Sequence, residues 1–215
     1  MPSWSDRLER ARERYEDGER RLPEESDARQ RQLTRMGNAA GAAALSAVMA
    51  GQDGDEWFAR SAERYRESWQ HAPPGSWGRP IGAIKARILA GDWEGAATDA
   101  RWALELGAAE SESPIGRYAA ALALLVLGQW AEARAQADHA RTHEDFPGRV
   151  ADALAFIAAG DEVGYIEAVE DVLESFETRT EYLEDVPVAD TVLVFQALAG
   201  RRGMAAELQS PLLPD

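Results

Sequence analysis

Apolar residues recur three and four positions apart along most of this chain. Between Phe58 and Trp69 they fall at Phe58, Ala62, Tyr65 and Trp69, with charged residues between them. That period places one stripe on one face of an α-helix. The most apolar stretch, Arg117 to Ala140 (RYAAALALLVLGQWAEARAQADHA), is interrupted at Gly128. Ahead of the glycine the run is rich in Ala and Leu. After it, Trp130, Ala133 and Ala137 keep helical spacing among Glu132, Arg134 and Asp138. The pattern predicts a hairpin, with a buried helix stopping at Gly128 and an amphipathic helix returning from about Gln129. Glycine suits the stop because it enters the left-handed region without a Cβ clash.

The same alternation predicts the other elements. Leu8, Ala11 and Tyr15 mark a short helix, and Pro23, Glu24 and Glu25 break it. Ser26 or Asp27 is placed to cap a helix running to about Met49. A turn at Gly51 to Asp55 leads into the Phe58 stripe. His71 to Pro80 (HAPPGSWGRP) reads as a non-helical linker. Ile81 to Ala90 is helical, and Asp92 caps its partner. Further helices cover 149–159 and 161–183, Pro187 marks a break, and Ala189 to Gly200 is the last helix.

Gly51, Gly91, Gly128, Gly160 and Gly200 each follow an Ala-rich helix, at spacings of about 32 to 40 residues. A hairpin of this kind leaves one apolar face bare, which the next hairpin covers. The expected fold is all-α: an α-α superhelix of about ten helices in stacked antiparallel pairs, without strands. It forms one helical-repeat domain over 1–215. A charged helix and break occupy 1–31, a first hairpin 32–70, repeat hairpins 81–209 and a tail 210–215.

Two resemblances follow from these residues. AGDWEGAATDARWALEL (90–106) resembles the turn and second helix of a tetratricopeptide repeat, through Gly91, Asp92, Trp93, Ala96, Ala103 and Leu104. LGQWAEARAQADHA (127–140) is similar. Over roughly the last 100 residues, LGQWAEARAQAD, then ADALAFIAAGDEVGYIEAV, then ADTVLVFQALAGRRGMAAELQSPLLP resembles the immunity protein 49 family of bacterial toxin–immunity systems. The Arg201–Gly203 element and the Ser210–Pro214 tail carry most of that likeness. The resemblance implies a non-catalytic protein that neutralises a cognate toxin by binding it. It brings no catalytic residues.

Composition narrows the choices. The formal net charge is −15, which argues against nucleic acid as a partner and leaves room for a basic protein. Cysteine is absent, so disulfides and thiolate chemistry are excluded. No apolar run approaches the roughly 20 residues of a membrane span, and Met1 to Arg21 lacks the pattern of a secretory signal. The expectation is a cytoplasmic protein with no membrane contact. Phosphate-loop, dinucleotide and GxSxG motifs are missing. Gly75-Ser76-Trp77-Gly78 lacks the strand a nucleophile elbow needs. His139 and His143 are four apart, but HExxH would need glutamate at position 140, which is Ala140. No enzyme, metal or cofactor is expected.

Two functions of different class remain beside a less favoured enzyme: a toxin-neutralising immunity protein, and a general tetratricopeptide-like adaptor binding partners in its groove. The candidate partner surface combines Trp77 and Arg79 in the linker with Glu177, Glu181, Glu184 and Asp185 near the Pro187 break. Trp4 and Trp77, outside clear periodicity, are expected to be exposed. Trp93, Trp102 and Trp130 are expected in the core, and Leu124 and Leu127 at its centre.

Overall fold

A computed structural model describes residues 2–214. Met1 and Asp215, the outer ends of the expected 1–31 and 210–215 segments, lie outside the described residues. Among the described residues there are ten α-helices: α1 (Trp4–Arg20), α2 (Ser26–Met49), α3 (Asp55–Trp69), α4 (Gly78–Leu89), α5 (Trp93–Glu105), α6 (Pro114–Val126), α7 (Trp130–Arg141), α8 (Gly148–Ala159), α9 (Glu162–Glu177) and α10 (Asp190–Gly200). Short 3-10 turns occupy Ala108–Glu110 and Leu183–Asp185. Among the described residues there is no strand, and no helix is long and apolar enough to cross a membrane.

From α1 to α9 each helix packs on the next as an antiparallel neighbour. The even-numbered helices also touch one another in turn, α2 on α4, α4 on α6 and α6 on α8, and so form an inner row. Their small residues allow this: Ala39, Ala40, Ala43 and Ala44 of α2 and Ala119 to Ala121 and Ala123 of α6 are buried. The expected superhelix of helix pairs is therefore present.

The helix stops carry a repeated local structure. Gly51, Gly91, Gly128 and Gly160 have φ of +69°, +66°, +74° and +71°. After each, the next residue donates its N–H back to the helix, as Asp92 does to the Arg87 carbonyl at 3.0 Å and Gln129 to Leu124 at 2.9 Å. These are Schellman endings, which need a left-handed residue. Helix α10 ends at Gly200 as expected, but Gly200 is not the left-handed residue: Gly203 (φ +72°) takes that role, with Met204 N–H donating to the Ala199 carbonyl at 3.1 Å.

The helix starts bring smaller corrections. Glu25, rather than Ser26 or Asp27, caps α2 by accepting from Asp27 and Ala28 N–H. Helix α4 begins at Gly78, so Arg79 and Pro80 are helical and not linker. Proline is tolerated there because first-turn N–H groups have no intrahelical acceptor.

The last helix departs from the array. Although α10 follows α9 in sequence, it packs most extensively on α4 and meets α8 and α9 about equally. It lies along the inner row, with Val192, Val194, Phe195, Leu198 and Ala199 buried. The superhelix thus fills part of its own groove.

Candidate functional site

Three devices hold the C-terminal segment in the groove. At the start of α10, the Lys85 ammonium of α4 pairs with the Asp190 carboxylate and donates to Thr191 Oγ1 at 3.0 Å. At its end, the Arg201 guanidinium donates to the Val126 carbonyl at 2.9 Å and stacks 4.5 Å from the Trp93 ring centroid. Arg202 donates to the carbonyls of Ile157 (2.9 Å) and Ala158 and stacks 4.5 Å from Trp130. Two adjacent arginines thus occupy the open carbonyl ends of α6 and α8, where the helix dipole favours a cation. The Gly-x-Trp turns of the repeats provide their stacking surfaces. Trp93, Trp102 and Trp130 are half-buried, which corrects their expected place in the core. Trp102 has the guanidinium of Arg66 4.6 Å above it.

Ahead of α10, residues 178–189 form a strap that crosses from the end of α9 to α1 and α2. Val186 and Val188 are buried against Ala11, Ala42 and Ala43. Glu184 and Asp185 take φ of +56° and +59°, a strained choice for residues with a Cβ. Contacts from α1 hold them there: Arg14 Nε pairs with Glu184 at 2.8 Å, and Arg7 donates to the Asp185 carbonyl.

At the strap lies a half-open cavity of about 290 Å³, lined by α2, α3, α4, the end of α9, the strap itself and the first residue of α10. The Tyr65 ring forms part of its wall, set between two glycines. A Cβ on Gly82 would approach that ring to 2.5 Å and one on Gly37 to 3.1 Å. The Tyr65 hydroxyl donates to Asn38 Oδ1 at 2.7 Å, and burial pushes its pKa up. Lys85 stands at the cavity's base beside Asp190. Burial lowers the ammonium's pKa, but the Asp190 carboxylate and the Tyr118 oxygen together outweigh it and raise the pKa above its ordinary value. The group remains a fixed cation.

The structure separates the six residues expected at the partner surface. Trp77 is only 7% exposed, so the exposed indole is corrected. Its ring lies 5.5 Å from that of Trp69 and against Gly116 of α6. Arg79 turns inward, donating to Ser68 Oγ at 2.8 Å and to Gln30. Glu184 is engaged by Arg14, whereas Glu177, Glu181 and Asp185 are exposed. The two halves of the expected surface approach each other only at the cavity, where Gly78, next to Trp77 and Arg79, and Glu181 both belong to the lining. Trp4 is half-buried beneath Arg7. The Ser76 hydroxyl donates to the Pro73 carbonyl at 2.7 Å and serves its own turn. His139 and His143 have ring centroids 5.6 Å apart, and among the described residues no group of three or more His, Asp or Glu is gathered as a metal site.

One feature of α9 was missed at the level of sequence. Glu167, Glu170, Glu174 and Glu177 are all exposed and follow one another three and four residues apart. They form a single acidic stripe, opposite the buried face of Tyr165, Ala168, Val169, Val172 and Phe176. Among the described residues none of the four has an ion-pair partner, while the adjacent Asp171 pairs with Arg149 at 2.7 Å. Like charges at this spacing repel by roughly 0.2–0.5 kcal/mol per pair. The signal was present in the i, i+3, i+7, i+10 spacing, but a chain so rich in carboxylates hides it. Glu181 and Asp185, also exposed, lie further along the chain on the strap. Comparisons with protein-family models, with curated proteins and with solved structures return no match to this chain.

Proposed function

We propose that this protein is a non-catalytic binding protein that neutralises a basic toxin domain by covering it. The observation that carries this reading is the acidic stripe of α9, none of whose four carboxylates has an ion-pair partner among the described residues. From Glu167 to Glu177 it extends roughly 15 Å at 1.5 Å per residue. Carboxylates so placed repel one another in the free protein. A basic partner relieves that repulsion, and complementary charge speeds its encounter while rejecting acidic competitors. The order of motifs that resembles the immunity protein 49 family supports the same reading. The groove supports it from another side. An adaptor that takes peptides along its inner row needs that row open, and here α10 lies on it.

The stripe belongs to a rigid element, since α9 packs on α8 through buried side chains, so its charges are held in register. The test is co-expression with the toxic domain encoded beside this gene, followed by titration of the purified pair. Protection is expected, with an association rate that falls steeply as salt is raised. Absence of protection against any neighbouring toxin, with housekeeping complexes recovered on capture, replaces this reading with the adaptor.

A further inference from the structure

The cavity at the strap has a chemistry that partner binding at the stripe does not use. Its volume of about 290 Å³ lies at the small end of ligand sites, which suits a molecule with a single ring. Apolar side chains such as Ile81, Leu89 and Val188 line it together with the rings of Phe58, Tyr65, Phe176 and Tyr182. Rings of this kind receive another aromatic ring edge-on or offset.

The polar groups left over are mainly donors. A lysine ammonium has three N–H bonds, and Lys85 uses two, on Asp190 and Thr191. Asn38 accepts from Tyr65 through its oxygen, and its NH₂ group makes no hydrogen bond among the described residues. The Arg179 guanidinium lies 3.6 Å over the Phe176 ring and likewise has no hydrogen bond or ion pair among the described residues. Of the two carboxylates in the lining, Asp190 is engaged by Lys85 and Glu181 is exposed. We propose that this cavity is a binding site for a small aromatic carboxylate, its ring among the four aromatic side chains and its carboxylate toward Lys85, Asn38 and Arg179.

The alternatives fit less well. An amine meets Lys85 and Arg179 with like charge, while of the two carboxylates in the lining Asp190 is already paired with Lys85 and Glu181 is exposed. An alcohol brings one oxygen to several donors. The choice of lysine is also informative, because Lys85 is the only lysine in a chain that otherwise uses arginine. An ammonium is compact and can share its hydrogens between the protein and a bound anion, whereas a guanidinium is broad and planar. Raised above its ordinary pKa by Asp190 and Tyr118, this ammonium offers charge and not a nucleophilic lone pair. The assignment does not rest on the toxin reading: Glu181 alone is common to both, and the proposed contacts to Lys85, Asn38 and Arg179 do not use it.

The test is methyl-labelled NMR and calorimetric titration of the full-length protein with 3-phenylpropanoate, 3-phenylpropanol and 3-phenylpropylamine. The carboxylate is expected to bind saturably and about tenfold or more tighter than either comparator, as a charge-assisted hydrogen bond predicts. Its shifts should centre on Ile81, Leu89 and Val188. Lys85→Met should weaken binding about tenfold, and Arg179→Gln, at an exposed residue, by a smaller factor. If Lys85→Met does not fold, Arg179→Gln and the wild-type shift map decide. The proposal is overturned if the carboxylate shows no saturable binding, if its shifts map outside the cavity, if the alcohol binds as tightly, or if Arg179→Gln leaves affinity unchanged.

Discussion

Arg202 tests most sharply whether the C-terminal segment is a built part of the stack. Its guanidinium donates to the carbonyls of Ile157 and Ala158 and lies over Trp130. A hydrogen bond from a charged donor contributes about 1.5–3 kcal/mol. Placing a cation at a helix C-terminus adds about 0.3–1 kcal/mol, and the stacked ring about 0.5–1 kcal/mol. These contributions overlap, and water recovers part of the loss once the carbonyls are freed. Arg202→Ala should therefore cost about 2–3 kcal/mol, near the charged hydrogen-bond value. Arg202→Lys keeps the charge but not the planar stack, and should lose about half as much. Urea melts followed by circular dichroism give the cost from the midpoint, provided the slope is unchanged. A double-mutant cycle with Trp130→Leu should return a coupling of about 0.5–1 kcal/mol. A loss below about 0.5 kcal/mol, as for an ordinary surface substitution, would refute the clamp, and so would zero coupling.

Three further outcomes follow from the same packing. Leu124, 5% exposed on α6, should cost roughly 2–5 kcal/mol when cut to alanine; a loss under about 0.5 kcal/mol in denaturant would show the site can collapse or is wet. Tyr165 is fully buried with a hydroxyl that has no partner among the described residues, so Tyr165→Phe should leave the melting temperature level or raise it, and a clear fall would reveal a bond to that oxygen. Burial pushes the Glu67 pKa up, but Arg64 at 2.8 Å and Arg29 at 2.9 Å outweigh it and hold the carboxyl below 4.5. A depressed folded pKa gives stability that is present above the unfolded value and lost as pH falls through the folded one. Glu67→Gln should accordingly be less stable than wild type by about 1 kcal/mol at neutral pH. That gap should close as the pH is taken well below 4.5, and a gap constant with pH would mean the ion pairs are not its cause.

The repeat was legible because its signals are local. A left-handed residue must follow each inner helix, and glycine at 51, 91, 128 and 160 meets that need within a few residues of an Ala-rich run. At α10 the helix ends at Gly200 but the left-handed glycine is Gly203; both follow such a run, and only the backbone path distinguishes them. Leu127 was expected at the core centre beside Leu124, but it caps α6 and is half-buried. Trp93 and Trp130 read as core because tryptophan at helical spacing usually is. Their partners Arg201 and Arg202 are distant in sequence, and no periodicity announces them. Trp77 sits in a stretch rich in proline and glycine that reads as exposed, yet the chain folds its indole between Trp69 and Gly116. The groove-filling path of α10 was invisible for a related reason. Its sequence is apolar on all sides, which says that it is buried but not against what. The pairing of Lys85 with Asp190, far apart in the chain, fixes that place.

The central claim is that a basic partner is met on the outer acidic stripe and not in the groove. Its most direct test is charge reversal scored by protection in co-expression with the neighbouring toxic domain. One variant carries Glu170→Arg, Glu174→Arg, Glu177→Arg and Glu181→Arg. A control carries the same number of reversals at Glu9, Glu13, Glu16 and Glu24, which are also exposed. Both should fold, as judged by circular dichroism. The account predicts that wild type and control protect and that the stripe variant does not. Protection by the stripe variant equal to wild type, or equal loss in both variants, would contradict it.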